Sequence, residues 1–208
     1  MKIYDSAFSP NSRKVRAVVY ELGVQAEFQP VNLFNGEARA PAFLALNPNA
    51  LVPVMVDGDF VLWESNAIVG YLAHGTPLMP TERRERSEVD RWTAWHLAHI
   101  SPAIWKVAFE RLIKPMLGQM APDASAIELG ASEFTRHTRV LETSIVNREY
   151  VAGRLSVADF VLASMYSIAP MAGLDTTPFP RVHAWLHRVL ARPSMKRALA
   201  DAEAAMAR

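Results

Sequence analysis

The sequence predicts an α/β unit followed by an all-α unit, and three observations carry that reading. Up to about residue 75, short apolar runs of strand length alternate with segments of helical spacing in a β-α-β-α-β-β-α order. Gly75-Thr76-Pro77-Leu78-Met79-Pro80-Thr81 is then dense in turn formers and reads as a linker. Beyond it every periodic segment is helical. The expected domains are 1–75 and 83–208.

Lys2-Ile3-Tyr4-Asp5 is the first strand candidate. A helix follows with clear punctuation: Ser9 suits the N-cap, Pro10 the first helical position and Gly23 the position just past the end. Val15, Val18, Val19 and Leu22 recur at helical spacing and make its buried face. Glu27 to Val31 is the second strand, and Pro41 to Leu46 a short helix. After Val52-Pro53 comes a third strand, an Asp57-Gly58 turn, a fourth strand through Phe60-Val61-Leu62, and a helix from Glu64 to His74. In the second domain a long helix is expected from about Glu82 to Leu117, kinked at Pro102 by the missing hydrogen bond. A second runs from Asp123 to about Arg148. A third opens at Ser156-Val157-Ala158-Asp159, a capping box, and helices over Pro180 to Ala191 and Pro193 to Met206 complete the chain.

The chemistry concentrates in the first domain. A proline just before a short apolar strand suggests a turn, an edge or a cis bond, and leaves Val52 free to pair its backbone with an extended peptide. The helix opening at Glu64-Ser65 points N–H groups and positive dipole outward, where a carboxylate can sit, and Glu64 can hold an ammonium. Ser9 places a hydroxyl at another helix start. There it can be an N-cap alone, or it can stabilise a thiolate; Ser12, one turn later, competes for that role. A free thiol titrates near 8.5, so lowering it by about two units requires about 2.7 kcal/mol of differential stabilisation.

These motifs, in this order, resemble the cytosolic glutathione S-transferases, in particular the serine-type theta, zeta and phi classes, over nearly the whole length. The resemblance implies an N-terminal thioredoxin-like domain, a C-terminal helical bundle, a homodimer, and glutathione as co-substrate. It implies that Ser9 activates the sulfur, that Val52-Pro53 is a cis step beside the cysteinyl part, and that Glu64-Ser65 grips the γ-glutamyl end. Arg39 lies where several classes carry a basic residue for the glycyl carboxylate. The chain departs from the family at Ala50 and Leu51, where Gly and then Lys or Gln are usual. Leu51 offers the glycyl carboxylate no side-chain hydrogen bond, a loss worth roughly 1.5–3 kcal/mol.

The second domain supplies the candidate acceptor site. Pro102, Trp105 and Phe109 are expected to line an apolar pocket for a hydrophobic electrophile, the kink opening a cleft toward the first domain. The alternatives are a binding or interaction protein of this fold with little catalysis, and a specialised glutathione-dependent isomerase or dehalogenase. Composition narrows the rest. There are no cysteines, which excludes disulfides, thiolate metal sites and a cysteine nucleophile. His96 with His99, and His183 with His187, have helical metal-binding spacing but no third ligand nearby, so no metal is expected. A net charge of +1 gives no footprint for nucleic acid or an anionic membrane. No Gly-x-Gly phosphate cradle, apolar signal core or membrane-length run occurs, and a cytoplasmic protein is expected.

Overall fold

In the computed structural model, which describes residues 1–118 and 121–206, four strands form one sheet in the order β2-β1-β3-β4. They are β1 (Lys2–Asp5), β2 (Glu27–Pro30), β3 (Val54–Asp57) and β4 (Phe60–Trp63). β1 runs parallel to β2 and antiparallel to β3, which runs antiparallel to β4. The parallel pair needs a crossover, and α1 (Pro10–Leu22) supplies it. Pro30 can end β2 because β2 is an edge strand, and Pro53 stands just before β3, so neither removes an interior ladder bond. The Val52-Pro53 peptide is cis.

The ends of α1 follow the sequence expectation. Ser9 caps it, and Gly23 takes the left-handed conformation (φ 64°) that side-chain-bearing residues resist. α1 packs with α3 (Ser65–Leu72), and Val15 and Val18 of α1, Ile3 and Met55 on one face of the sheet, and Ile68 and Val69 of α3 are all fully buried. A smaller cluster joins Phe43 of α2 (Pro41–Leu44) to Val31, Ala38, Val52 and Val54. A one-turn 3-10 helix at Glu37–Arg39, unassigned from sequence, precedes α2.

Two compact units emerge, Met1–Met79 together with the chain from Ala191, and Pro80–Leu190. The expected second domain, 83–208, spans parts of both units, and residues 119, 120, 207 and 208 of that range lie outside the described residues. In space, α10 (Pro193–Met206) packs with the first unit. The reason is electrostatic as well as apolar. Arg16 bridges Asp5 and Asp201, Tyr20 donates to Asp201 at 2.6 Å, and Glu21 accepts from Arg192 and Ser194.

In the second unit the long helix is continuous but changes pitch twice. α4 (Arg83–Trp95) passes through a π-turn at His96–Ile100 into α5 (Ser101–Ala108), and a second π-turn at Phe109–Ile113 leads to α6 (Lys114–Met116). Each π-turn ends one residue before a Ser-Pro or Lys-Pro step. Ser101 N–H reaches back to the His96 carbonyl and Lys114 N–H to that of Phe109. The expected kink at Pro102 is therefore an i→i−5 widening that absorbs the proline's missing donor without breaking the helix.

α7 (Ala124–Ser144) is capped by Asp123 and stops short of the expected Arg148; Asn147 beyond it turns left-handed (φ 57°). It crosses α5 at Gly130, where a Cβ would lie 2.7 Å from Val107 and 3.0 Å from the Ala103 carbonyl oxygen. α8 (Val157–Tyr166) is buried along its whole length, and α9 (Pro180–Leu190) follows. The predicted capping box is present: Asp159 Oδ2 accepts the Ser156 N–H at 3.0 Å. Its other oxygen accepts the Val151 N–H at 3.0 Å and the Trp185 indole N–H at 2.9 Å.

Candidate functional site

Sheet register gathers most of the predicted residues at one end of the first unit. Tyr4, Val54 and Trp63 lie abreast across β1, β3 and β4. Immediately beyond them the chain continues into the Ser6–Ser9 turn, the Val52-Pro53 step and Glu64-Ser65. Asp5 lies beside Pro30 in the parallel pair, so the segment carrying Arg39 leaves from that same end. Three separate stretches of sequence thus converge because antiparallel pairing alternates chain direction.

Ser9 is half-buried, and its Oγ accepts the Ser12 N–H at 3.4 Å. An accepting hydroxyl retains its own proton, so capping and donation to a ligand are compatible. Ser12 differs: it is fully buried, and its Oγ accepts the Ser6 N–H at 3.3 Å. That hydroxyl braces the turn preceding α1 and is closed to an outside partner.

Val52 lies two residues before the β3 ladder begins, leaving its backbone outside the sheet register. The loop before it is held by Asn47, which is nearly buried. Asn47 Nδ2 donates to the Leu51 carbonyl at 2.7 Å, while its Oδ1 accepts the Asn49 N–H at 3.0 Å. Leu51 projects its apolar side chain outward, 62% exposed. Ala50 sits at φ 56°, a conformation costing a residue with a side chain roughly 1–2 kcal/mol. Glycine would relieve that cost and lose up to about 1 kcal/mol through greater unfolded-state freedom. Ala50→Gly is expected to stabilise the protein by about 0.5–1 kcal/mol, measured by denaturant unfolding; a destabilised variant would contradict this.

Glu64 caps α3 at φ 72°, again left-handed without being glycine, a strained placement of the kind held at binding sites. Its carboxylate is exposed. Ser65 is buried and donates to Asn11 Oδ1 at 3.4 Å. The next residue, Asn66, accepts from Lys14 Nζ at 2.8 Å. These two contacts tie the N-termini of α1 and α3 together, so that both helix dipoles open on the same end of the unit. Lys14 is 1% exposed; burial pulls its pKa down to about 7, against the favourable field of Glu64. Arg39 stands exposed at the end of its 3-10 turn.

Asn11, Lys14, Asn47 and Asn66 were missed as site-supporting residues. One signal was available: Lys14 precedes Val18 by four positions and so falls on the apolar face of its helix. In the second unit Trp105 is 45% exposed, with its ring centroid 6.4 Å from that of half-buried Phe109. Pro102 is exposed one turn earlier. His99 stacks near His137 (5.0 Å between centroids), and His183 against His187 (4.4 Å). Among the described residues no group of three or more His, Cys, Asp or Glu gathers to hold a metal ion, and no helix is long and apolar enough to cross a membrane.

Comparison with known proteins gives this arrangement a family. Residues 1–74 match the model for the glutathione S-transferase N-terminal domain, and residues 100–193 that for the C-terminal domain. Glutathione S-transferase 3 of Zea mays is 34% identical over 96% of this chain and 93% of its own length. The crystal structure of glutathione transferase F7 from Populus trichocarpa superposes with a TM-score of 0.89 at 29% identity, covering 97% of this chain and 98% of that one. A Phanerochaete chrysosporium glutathione transferase, solved in complex with oxidized glutathione, superposes at 0.88 with 27% identity, covering 98% and 96%.

Proposed function

The chain belongs to the glutathione S-transferase family and is a glutathione transferase, and on that premise we propose how its own residues divide the work. Ser9 donates a hydrogen bond from its hydroxyl to the glutathione sulfur and favours the thiolate. Val52 pairs its backbone with the cysteinyl unit, beside Pro53. Glu64 holds the γ-glutamyl ammonium, and the opening of α3 at Ser65 receives the adjoining carboxylate. Arg39 attracts the glycyl carboxylate, a role Leu51 does not share. Ser12 supports Ser9 from behind, as its burial and its bond with Ser6 favour. The observation that carries this division is the convergence of Ser9, Val52-Pro53 and Glu64-Ser65 at one sheet end through the pairing of Tyr4, Val54 and Trp63.

Bound glutathione loses its thiol proton to solvent, and its sulfur forms a carbon–sulfur bond with a hydrophobic electrophile. The sulfur either expels halide from an aryl halide or adds to an enone, whose displaced electron pair takes up a proton from solvent. The protein contributes thiolate stabilisation and proximity. Pro102, Trp105 and Phe109 bind the electrophile. Trp105→Ala is expected to raise KM for apolar electrophiles roughly ten-fold, the worth of burying part of a large ring, while KM for glutathione holds. An unchanged electrophile KM across a panel of aryl halides and enones would remove this assignment.

The working form is a cytoplasmic homodimer. Phe60, Val61 and Trp63 on the edge strand β4, with Tyr71 on α3, are exposed apolar side chains of the first unit. Phe60 and Tyr71 already pair their rings at 5.5 Å. A second copy of this chain docked along β4 would cover these side chains, Phe60 with Tyr71 on one side of the sheet and Val61 with Trp63 on the other, and remove the open strand edge from solvent.

A further inference from the structure

Lys14 is an unusual residue to find where it is. It lies on the face of α1 that carries Val15 and Val18, with 1% of its surface exposed. Burying an ammonium costs several kcal/mol unless its partners compensate, and lysine is almost never fully buried unpaired. A methionine of similar length would fill the same space without that cost. The charge is therefore retained for what it touches.

Nζ donates to Asn66 Oδ1 at 2.8 Å, and Glu64 supplies the favourable charge nearby. Both partners belong to the first turn of α3 and its cap. Asn66 is the second residue of that helix, and Ser65, the first, is held separately from α1 through Asn11. The two cross-braces are not equivalent. The Asn11 contact is long and neutral, whereas the Lys14 contact is short and charge-assisted, the stronger kind of hydrogen bond. Lys14 is thus the principal tether between the helix bearing Ser9 and the helix opening at Ser65. Glu64, strained at φ 72°, is the residue whose position that tether fixes.

We propose that Lys14 is a positioning residue for the thiol co-substrate: acting through Asn66 and beside Glu64, it sets the first turn of α3 in the geometry that grips the γ-glutamyl group. This rests on the assignment of Glu64 and Ser65 to glutathione. It adds a residue outside the ligand contacts and predicts an effect confined to one of the two substrates. Lys14 does not touch the sulfur and is not a proton donor in the reaction. When protonated, Lys14 also places positive charge beside the first turn of α3, where the ligand carboxylate arrives.

The test is calorimetric titration with glutathione, together with steady-state kinetics in both substrates, on wild type, Lys14→Met, Asn66→Ala and the double variant. Circular dichroism establishes that each is folded. Lys14→Met is expected to weaken glutathione binding and raise its KM about ten-fold or more, with electrophile KM unchanged. Asn66→Ala is expected to do the same, and the double variant to lose little beyond either single one, because both changes sever one contact. A folded Lys14→Met protein that binds glutathione like wild type overturns the assignment, as do losses that simply add in the double variant. A merely structural lysine would lower the unfolding midpoint and leave the KM values alone. If Lys14→Met does not fold, Asn66→Ala decides: unchanged glutathione KM there overturns the proposal, and a selective rise supports it. Absence of glutathione binding by wild type would overturn the glutathione assignments of Glu64 and Ser65 first, and this one with them.

Discussion

Ser9→Ala is expected to lower kcat/KM for conjugation at neutral pH by roughly ten- to a hundred-fold, the value of one hydrogen bond to a charged sulfur, about 1.5–3 kcal/mol. The pH profile carries the sign. A hydroxyl that donates to the thiolate favours the charged form and lowers the thiol pKa; removing it raises that pKa by about one to two units. The variant should therefore need a more alkaline solution to reach half its maximal rate, and should recover part of its activity above the new pKa. Glutathione binding should change little, because Val52, Glu64 and Ser65 are untouched. A loss of rate with no alkaline shift would transfer the role to backbone N–H groups of α1. Ser9 also caps that helix through the Ser12 N–H, so a stability loss of about 1 kcal/mol accompanies the change and is measured separately.

Asp159→Ala should produce the largest loss of stability. This carboxylate is fully buried and receives the Ser156 and Val151 backbone N–H groups and the Trp185 indole N–H. Alanine leaves all three donors buried without an acceptor, at about 1–3 kcal/mol for each. A net loss of roughly 3 kcal/mol is expected, which for a chain of this size lowers the thermal midpoint by roughly 6–12 °C. Asp159→Asn keeps the volume and should fall between. Burial pushes the Asp159 pKa up to about 6, above its ordinary value of 3.8, against the hydrogen bonds from Val151, Trp185 and the Ser156 backbone and hydroxyl that favour ionisation. A carboxyl raised on folding contributes stability that is full below its unfolded pKa and is lost as pH rises through the folded one. The stability gap between wild type and Asp159→Asn should accordingly narrow between about pH 4 and pH 6. A gap that widens over that window, or a near-neutral Asp159→Ala, would contradict this reading of the α8 start.

The parts of this architecture written in local signals were legible in the sequence. Ser9-Pro10 and Gly23 bracket α1, Ser156 and Asp159 open α8, and the Asp57-Gly58 turn separates β3 from β4. The candidate ligand residues share that property. Ser9, Val52-Pro53 and Glu64-Ser65 are each a cap or a turn whose residue types betray its backbone, which is why they could be singled out before any contact was known.

The features that were not legible depend on partners far along the chain. Lys14 meets Asn66 from 52 positions away, and Ser65 meets Asn11 from 54. A lysine among valines was visible, but no periodicity says which helix supplies its acceptor. The return of α10 to the first unit likewise rests on Arg16 with Asp201 and Glu21 with Arg192, pairs that helical spacing cannot anticipate. At Pro102 the local rule named the right position, and the structure adds the π-turn at His96–Ile100 just before it. A missing donor can be met by widening the helix as well as by bending it, and the packing of α5 against α7 keeps the segment helical. Leu51 and Ala50 stood out as departures from the start; their geometry adds that Ala50 keeps a glycine-like backbone and that Leu51 turns its side chain outward.

The measurement that bears most directly on the site is a glutathione titration of wild type and Ser9→Ala, following both heat and the ultraviolet absorbance of the thiolate. Saturable binding by both proteins, with thiolate present at neutral pH only in wild type, is the predicted result. No binding by wild type at millimolar glutathione, or equal thiolate in the two proteins, would contradict it.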